Sequence, residues 1–237
     1  YCKRQQMLLV ELFRGTGSVG VVARKLGWKV ISVDMDPGHN ATHTIDVRRF
    51  KYKEIPTPDF VWASPPCTTY SFAANWVHHR EAGTGRALTD SAKEADSILT
   101  HTLKMIRYWL KQNPKLRFCI ENPRGYLRNR PEMKYFLRTT VLYSDYGWPI
   151  HKPTDFWTNF PLELRPMGSR KSKRRSARII QIGKDPGWRK SLKKALGGNA
   201  TQSQAVLLGR IPPTLVRSIL TQMTMSQTDH NYNNNDV

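Results

Sequence analysis

"MLLVELFRGTGSVGVVARKLGWKVISVD" (Met7–Asp34) carries the fold in outline. A short apolar run, Met7–Phe13, reads as a strand, and a glycine-rich turn, Arg14–Gly20, follows it. "SVGVVARKLG" predicts a helix, with Ser18 as its N-cap and Gly27 just past its end. Trp28–Asp34 then predicts a second strand that closes on an acid. Strand, turn, helix and strand in that order form a unit that builds a parallel sheet. Gly15, Gly17 and Gly20 spell G-x-G-x-x-G, which sets backbone amides and a helix N-terminus beside a bound nucleotide. That spacing alone admits a nicotinamide dinucleotide as readily as another nucleotide cofactor, and Asp34 suits ribose hydroxyls in either case.

Further along, "HTIDV" predicts a third strand, "PDFVWAS" a fourth and "LRFCIEN" (Leu116–Asn122) a fifth. Between the last two, Ser91–Lys111 has helical spacing, with Ala95, Ile98, Leu99, Thr102, Met105, Ile106 and Trp109 on one side. The alternation predicts an α/β fold: a doubly wound, mostly parallel, Rossmann-like sheet. We assign residues 1–159 to this core. Residues 160–205 read as a loop-rich basic segment, 206–225 as a helix returning to the core ("IPPTLVRSILTQM"), and 226–237 as a polar tail.

Charge sets the partner class. The 237 residues hold 38 Lys and Arg against 18 Asp and Glu, a net +20, which favours a polyanion, nucleic acid first. Thirteen Lys and Arg against two acids fall between 161 and 210, so over half of the net charge sits in one fifth of the chain. "RKSKRRSAR" (Arg170–Arg178) is its densest part; Arg174, Arg175 and Arg178 suit a phosphate-contacting strip, and a nuclear import signal fits the same residues. No apolar run approaches the ~18 residues of a membrane span, so no membrane is expected. Cys2, Cys67 and Cys119 are too scattered for a disulfide framework or a zinc site, and the histidines lack ligand spacing, so no metal is expected. Free cysteines suit an intracellular location, the nucleus in a eukaryote and otherwise the cytoplasm or nucleoid. The chain opens on Tyr1, which suggests processing or excision from a longer protein, and a monomer is expected.

The chemistry lies in "FVWASPPCTTYS" (Phe60–Ser71) and "CIENPRGYL" (Cys119–Leu127). Cys67 follows the fourth strand and Glu121 ends the fifth, at the sheet edge where open α/β folds hold ligands. Taken singly, Cys67 also reads as a small packed hydrophobe and Glu121 as a loop acid or cap; Cys119, inside its strand, reads as packed. Together, a thiol and a carboxyl facing one pocket meet the needs of cytosine C5 chemistry. Thiolate addition at C6 makes C5 nucleophilic, and a carboxyl at N3 stabilises the charge on the ring. The polar stretch Ser71–Asp90, with His78 and His79, is long for a loop and placed to close over a base.

These residues resemble the DNA cytosine-5 methyltransferases, most closely the short forms of phage and viral genomes, over Leu8 to about Asn159 and again near Ile211. "ELFRGTGSVG" resembles the family's first motif, which implies that Phe13, Gly15, Thr16, Gly17 and Ser18 surround the methionine end of S-adenosylmethionine. "VDMD" resembles the second, with Asp34 on the ribose and Met35 against adenine; Asp46 would meet the adenine amine. "SPPCTTYS" resembles the Pro-Cys motif, making Cys67 the nucleophile and Pro66 its neighbour at the cofactor. "IENP" resembles the Glu-Asn motif, placing Glu121 at N3. The resemblance implies double-stranded DNA as partner, with the target cytosine flipped out of the stack.

"DYGWPIHKPTDFWTNF" (Asp145–Phe160) departs from the family's Tyr-Gly-x-Pro-Gln-x-Arg-x-Arg. Ile150 replaces the glutamine, Lys152 the first arginine and Thr154 the second, leaving Lys152 as the candidate catalytic cation without a bidentate fork. Three alternatives stay open on sequence: a tRNA cytosine-5 methyltransferase, an amino-methyltransferase of adenine N6 or cytosine N4, whose Ser-Pro-Pro-aromatic motif "SPPC" approaches, and a degenerate module that binds DNA without turnover.

Overall fold

The structure is a computed structural model that describes residues 6–72, 79–167, 188–195 and 208–228. Strand β1 (Leu8–Leu12) lies at the centre of a sheet and pairs in parallel with β2 (Lys29–Asp34) on one side and β4 (Phe60–Ala63) on the other. The outer strands are β3 (His43–Thr44), β5 (Arg117–Pro123), β6 (Leu137–Leu142) and β7 (Pro153–Thr158). The order is β3-β2-β1-β4-β5-β7-β6, with β7 alone reversed, antiparallel to β5 on one side and to β6 on the other. The expected doubly wound, mostly parallel sheet is present. The chain winds outward from β1 to β3 and then returns to β4, so the loops after β1 and β4 part and leave a crevice at the carboxyl edge.

Period-2 alternation sorts the strand residues into two cores. Leu9, Phe60, Trp62 and Cys119 pack with Val19, Val22 and Ala23 of helix α1 (Ser18–Lys25) and with Leu215, Val216 and Ile219 of the last helix. Val10, Leu12, Val61, Ala63, Phe118 and Ile120 pack against Leu99, Leu103, Ile106 and Trp109 of helix α2 (Asp90–Gln112). Cys119 is fully buried in the first core, as its place in the strand predicted.

Several boundaries differ from the sequence reading. Gly17, and not Ser18, caps α1, because it takes the left-handed conformation (φ 71°) that turns the chain into the helix. Ser18 is the first helical residue; its hydroxyl lies 2.9 Å from Thr16 Oγ1 and accepts the Ile211 amide. Thr89 caps α2, accepting from the Ala92 amide. Strands β6 and β7 escaped sequence reading. The buried Asp155 interrupts the apolar pattern of β7, and it is satisfied only through space, by Arg128 and by the Thr140 hydroxyl at 2.6 Å. Helix α3 (Trp188–Ala195) lies within the segment read as loop-rich. Helix α4 (Pro213–Thr228) starts at a proline, as expected, and runs on through residues assigned to the polar tail.

One polar group sits in the core beneath the glycine turn. Glu11 is 2% exposed; one carboxylate oxygen accepts the Gly20 amide at 3.1 Å and the other has no hydrogen-bond partner. Burial raises its pKa from the ordinary 4.5 to about 7, against the pull of the Gly20 amide and of Arg14 and Arg24. The folded chain therefore keeps this proton where the unfolded chain releases it, so the contribution to stability falls as pH rises between 4.5 and about 7. A shift of that size corresponds to on the order of 3 kcal/mol. Glu11→Gln is expected to gain stability over the parent at pH 8 and to match it near pH 4.5. Denaturant titrations of both proteins at the two pH values check this, and parallel pH profiles would mean that Glu11 carries no such proton.

Candidate active site

The crevice at the carboxyl edge is built first by the loop after β1. Phe13 is held at φ 61°, in the left-handed region that non-glycine residues avoid, and Gly15 follows at φ 51°. The turn is tied to β2 by the acid that closes that strand: Asp34 Oδ2 accepts the Gly15 amide at 2.8 Å, and Oδ1 accepts the Asp36 amide at 2.9 Å. His39 Nδ1 lies 3.0 Å from Asp34 Oδ1.

Two clefts meet at this turn. One, of about 350 Å³, is lined by Phe13, Asp34, Met35, Ile45, Asp46 and Ile98. Met35 is 72% exposed, a large apolar side chain offered to whatever enters. Asp46 pairs with Arg48, whose hydrogen bond holds its carboxyl below the ordinary carboxylate range. The other, of about 390 Å³, holds Thr16 and Ser18 along with Cys67, Glu121 and Lys152. Phe13, Gly15, His39, Ser64 and Pro66 line both, so the clefts are continuous. Gly17 lines neither; its place is the helix cap, against the Arg14 guanidinium.

The loop after β4 and the last residues of β5 bring Cys67 and Glu121 together. Cys67 opens a tight turn in which its carbonyl accepts the amides of Tyr70 (3.0 Å) and Ser71 (2.9 Å). The two segments are stitched together: Asn122 Nδ2 donates to the Pro65 carbonyl at 2.9 Å, and the Tyr126 amide to the Tyr70 carbonyl at 2.8 Å. Gly125 passes so close that a Cβ there would lie 2.1 Å from the Tyr70 carbonyl oxygen. Glu121 is 5% exposed, and the buried Tyr143 hydroxyl donates to its Oε1 at 3.0 Å. Lys152 Nζ lies 4.0 Å from the same oxygen, donates to the Leu208 carbonyl at 2.9 Å and sits 5.0 Å over the Tyr143 ring. Burial pushes the Cys67 thiol up; Lys152 pulls it back down and Glu121 adds a smaller upward push.

Sequence reading thus brought Cys67, Glu121 and Lys152 to one cleft, and that is where they lie. Of the three substituted motif positions, only Lys152 lines it; Ile150 and Thr154 are buried away from it. Arg174, Arg175 and Arg178 lie outside the described residues. Tyr143, Glu11 and the Leu208 carbonyl were missed. Glu11 opens the stretch quoted for the first motif but was given no role there, no motif marks Tyr143 or Leu208, and Tyr143 follows a strand that the pattern did not reveal.

Beside the reaction cleft, and sharing Arg14, Thr16, Ser18 and Ile211 with it, opens a groove of about 910 Å³ between α1, residues 36–40 and the start of α4. Arg14, Lys25, Arg210 and Arg217 line it, against the single acid Asp36. Among the described residues no cluster of His, Cys, Asp or Glu could hold a metal, and no helix is long and apolar enough to cross a membrane.

No family profile matches the chain. A probable DNA (cytosine-5)-methyltransferase of Frog virus 3 (isolate Goorha) is 27% identical over 226 residues, covering 90% of this chain and 99% of the viral protein. Among solved structures, the Entamoeba histolytica methyltransferase EhMeth superposes with a TM-score of 0.53 at 12% identity, covering 94% of this chain and 99% of the other. The S. pombe Dnmt2 methyltransferase superposes with a TM-score of 0.52 at 12% identity, with the same coverage. Motif order, similarity along nearly the whole chain to a viral protein of that kind, and a methyltransferase fold agree: the protein is related to the cytosine-5 methyltransferases.

Proposed function

We propose that the protein transfers a methyl group from S-adenosylmethionine to C5 of cytosine in DNA. The observation that carries this reading is the meeting of Cys67, Glu121 and Lys152 on one cleft that continues into a second, lined by Asp34, Met35 and Asp46. The charge of the turn supports the choice of cofactor. The Gly15 and Gly20 amides are taken by the carboxylates of Asp34 and Glu11. Two acids taking those amides where a dinucleotide would set its pyrophosphate disfavour that ligand; Asp34 suits a cationic one, and a cation beside Glu11 would draw off the proton that burial holds there. Phe13, Met35 and Asp46 would hold the adenosine end, and Glu11, with one oxygen unpartnered, the ammonium end. When bound, the cofactor supplies an electrophilic methyl group on a sulfonium.

The chain's own residues do the rest. Lys152 favours the thiolate of Cys67. The thiolate adds to C6 of the base, and the ring electrons move toward C5. Glu121, oriented by the Tyr143 hydroxyl, faces N3 and stabilises the ring as charge develops there. C5 takes the methyl, loses its proton to water, and the returning electron pair expels Cys67 from C6. The base must leave the stack to expose its face to the thiol. The name of the viral relative, the net charge of +20 and the cationic groove beside the cleft support duplex DNA as the polyanion.

A duplex carrying 5-fluorocytosine tests the reaction, because fluorine cannot leave as a proton does. With S-adenosylmethionine present, the parent protein is expected to form a denaturation-resistant adduct on Cys67. Cys67→Ser forms none, and Glu121→Gln forms it slowly. An adduct mapped to Cys119, or one formed on RNA and not on DNA, overturns the reading.

Lys152→Ala is expected to slow turnover on the order of 10²-fold, as loss of a charged donor in a closed site does. Because Lys152 lowers the Cys67 pKa, its loss also moves the alkaline rise of the rate to higher pH. A pH–rate profile that keeps its position would detach Lys152 from the thiol.

Replacing Lys25 and Arg217 together by alanine should flatten the slope of log K for DNA against log salt by up to ~0.9 per lost phosphate contact. An unchanged slope removes the groove from the DNA path.

A further inference from the structure

Arg80 is a charged residue placed where charge is expensive. It is 2% exposed, and its guanidinium is fully engaged. Nε donates to the Thr69 carbonyl at 3.0 Å and Nη1 to the Gly85 carbonyl at 3.0 Å. Nη2 donates to Thr69 Oγ1 (3.2 Å), the Ala92 carbonyl (3.0 Å) and Asp96 Oδ1 (2.8 Å). The guanidinium carbon stands 3.9 Å from the centre of the Tyr70 ring. Tyr70, itself fully buried, donates its hydroxyl to the same Asp96 oxygen at 2.7 Å. The second Asp96 oxygen accepts from Arg130 Nη1 at 3.0 Å, and Arg130 pairs in turn with Glu132.

An apolar side chain of the same volume would fill this space at no desolvation cost, so packing alone does not account for a buried cation. What the fork adds is direction. Its hydrogen bonds fall on Thr69 and its face on the Tyr70 ring, two and three residues past Cys67, inside the turn whose amides close on the Cys67 carbonyl. The other end of the clamp is the first two turns of α2, through Ala92 and Asp96. Arg80 does not line the reaction cleft and so acts only through the turn.

We propose that Arg80, braced by Asp96, is the positioning residue for the nucleophile: it fixes the Cys67–Ser71 turn to α2 and so aims the Cys67 thiol into the reaction cleft. The thiol needs such aiming, since addition to C6 requires a near-attack geometry that a loose turn does not hold.

The test uses the full chain and its two described cysteines. Cys67 is half-buried at the site, while Cys119 is fully buried in β5 and reports global opening. Arg80→Lys keeps the charge and loses the fork. Iodoacetamide labelling, resolved by peptide mass spectrometry, is expected to quicken several-fold at Cys67 and to stay at the parent rate at Cys119. The 5-fluorocytosine adduct, which alone rests on the cytosine reading above, is expected to slow on the order of 10²-fold. The loss should fall on kcat and leave KM for DNA within about twofold. Tyr70→Phe, which removes one hydrogen bond to Asp96 and keeps the ring, is expected to shift both rates the same way by less, and it serves if Arg80→Lys does not fold. Parent-like labelling of Cys67 in a folded variant overturns the proposal, as does labelling that rises at Cys67 and Cys119 together. If the parent forms no adduct on DNA, the cytosine reading fails, and the labelling ratio still decides the role of Arg80.

Discussion

The parallel pairing of β4 with β5 is the contact on which the rest depends. Phe60 lies beside Arg117 and Ala63 beside Ile120, so β4 ends where β5 reaches Glu121, and the loop that carries Cys67 leaves the sheet beside that carboxyl. Neither segment could hold its course alone. Asn122 reaches back to the Pro65 carbonyl, the Tyr126 amide to the Tyr70 carbonyl, and Gly125 lets the two backbones touch. The thiol and the carboxyl are therefore positioned by backbone and sheet register more than by their own side-chain freedom.

Electrostatics divides the molecule in two. The chain carries a net +20, yet the glycine turn is bound from below and from the side by two acids, Glu11 and Asp34. Acids are scarce in this chain, and two of them sit within hydrogen-bond reach of the amides that usually hold phosphate. Asp34 serves twice, since it ties the turn to β2 and also lines the cleft. A cation inside and a polyanion outside are the complementary partners, which is the pairing that methylation of a nucleic acid requires.

The departure at Asp145–Phe160 also has a physical account. Where the family uses arginines, this chain has one lysine, held by the Leu208 carbonyl and the Tyr143 ring beside Glu121. A lysine is a point charge on a flexible stem, so it needs these outside contacts to be placed. Thr154, at the second arginine position, has turned into β7, where its buried side chain lies against the Tyr143 hydroxyl and not in the cleft. The buried ion pair of Arg128 with Asp155 then helps to hold β7 against β6.

The sequence by itself determined the sheet's parallel half and the candidate site residues that meet in the cleft. Short apolar runs bounded by glycine, proline and acids are local signals, and they placed β1, β2, β4, β5 and the glycine turn; Cys67 was legible because it follows such a strand and Glu121 because it lies at the end of one. Lys152 was legible only as a departure from a family pattern. Tertiary structure alone decided β6 and β7, the latter running antiparallel between β5 and β6; the buried Thr154 and Asp155 of β7 break the apolar period, and Asp155 is satisfied by Arg128 and Thr140, far along the chain. It alone decided that Gly17 caps α1, that Tyr143 orients Glu121, and that Arg80 is a buried clamp and no longer part of a polar loop. Each of these depends on partners that sequence distance hides, since a buried charge or hydroxyl is specified by the groups that satisfy it and not by its neighbours in the chain.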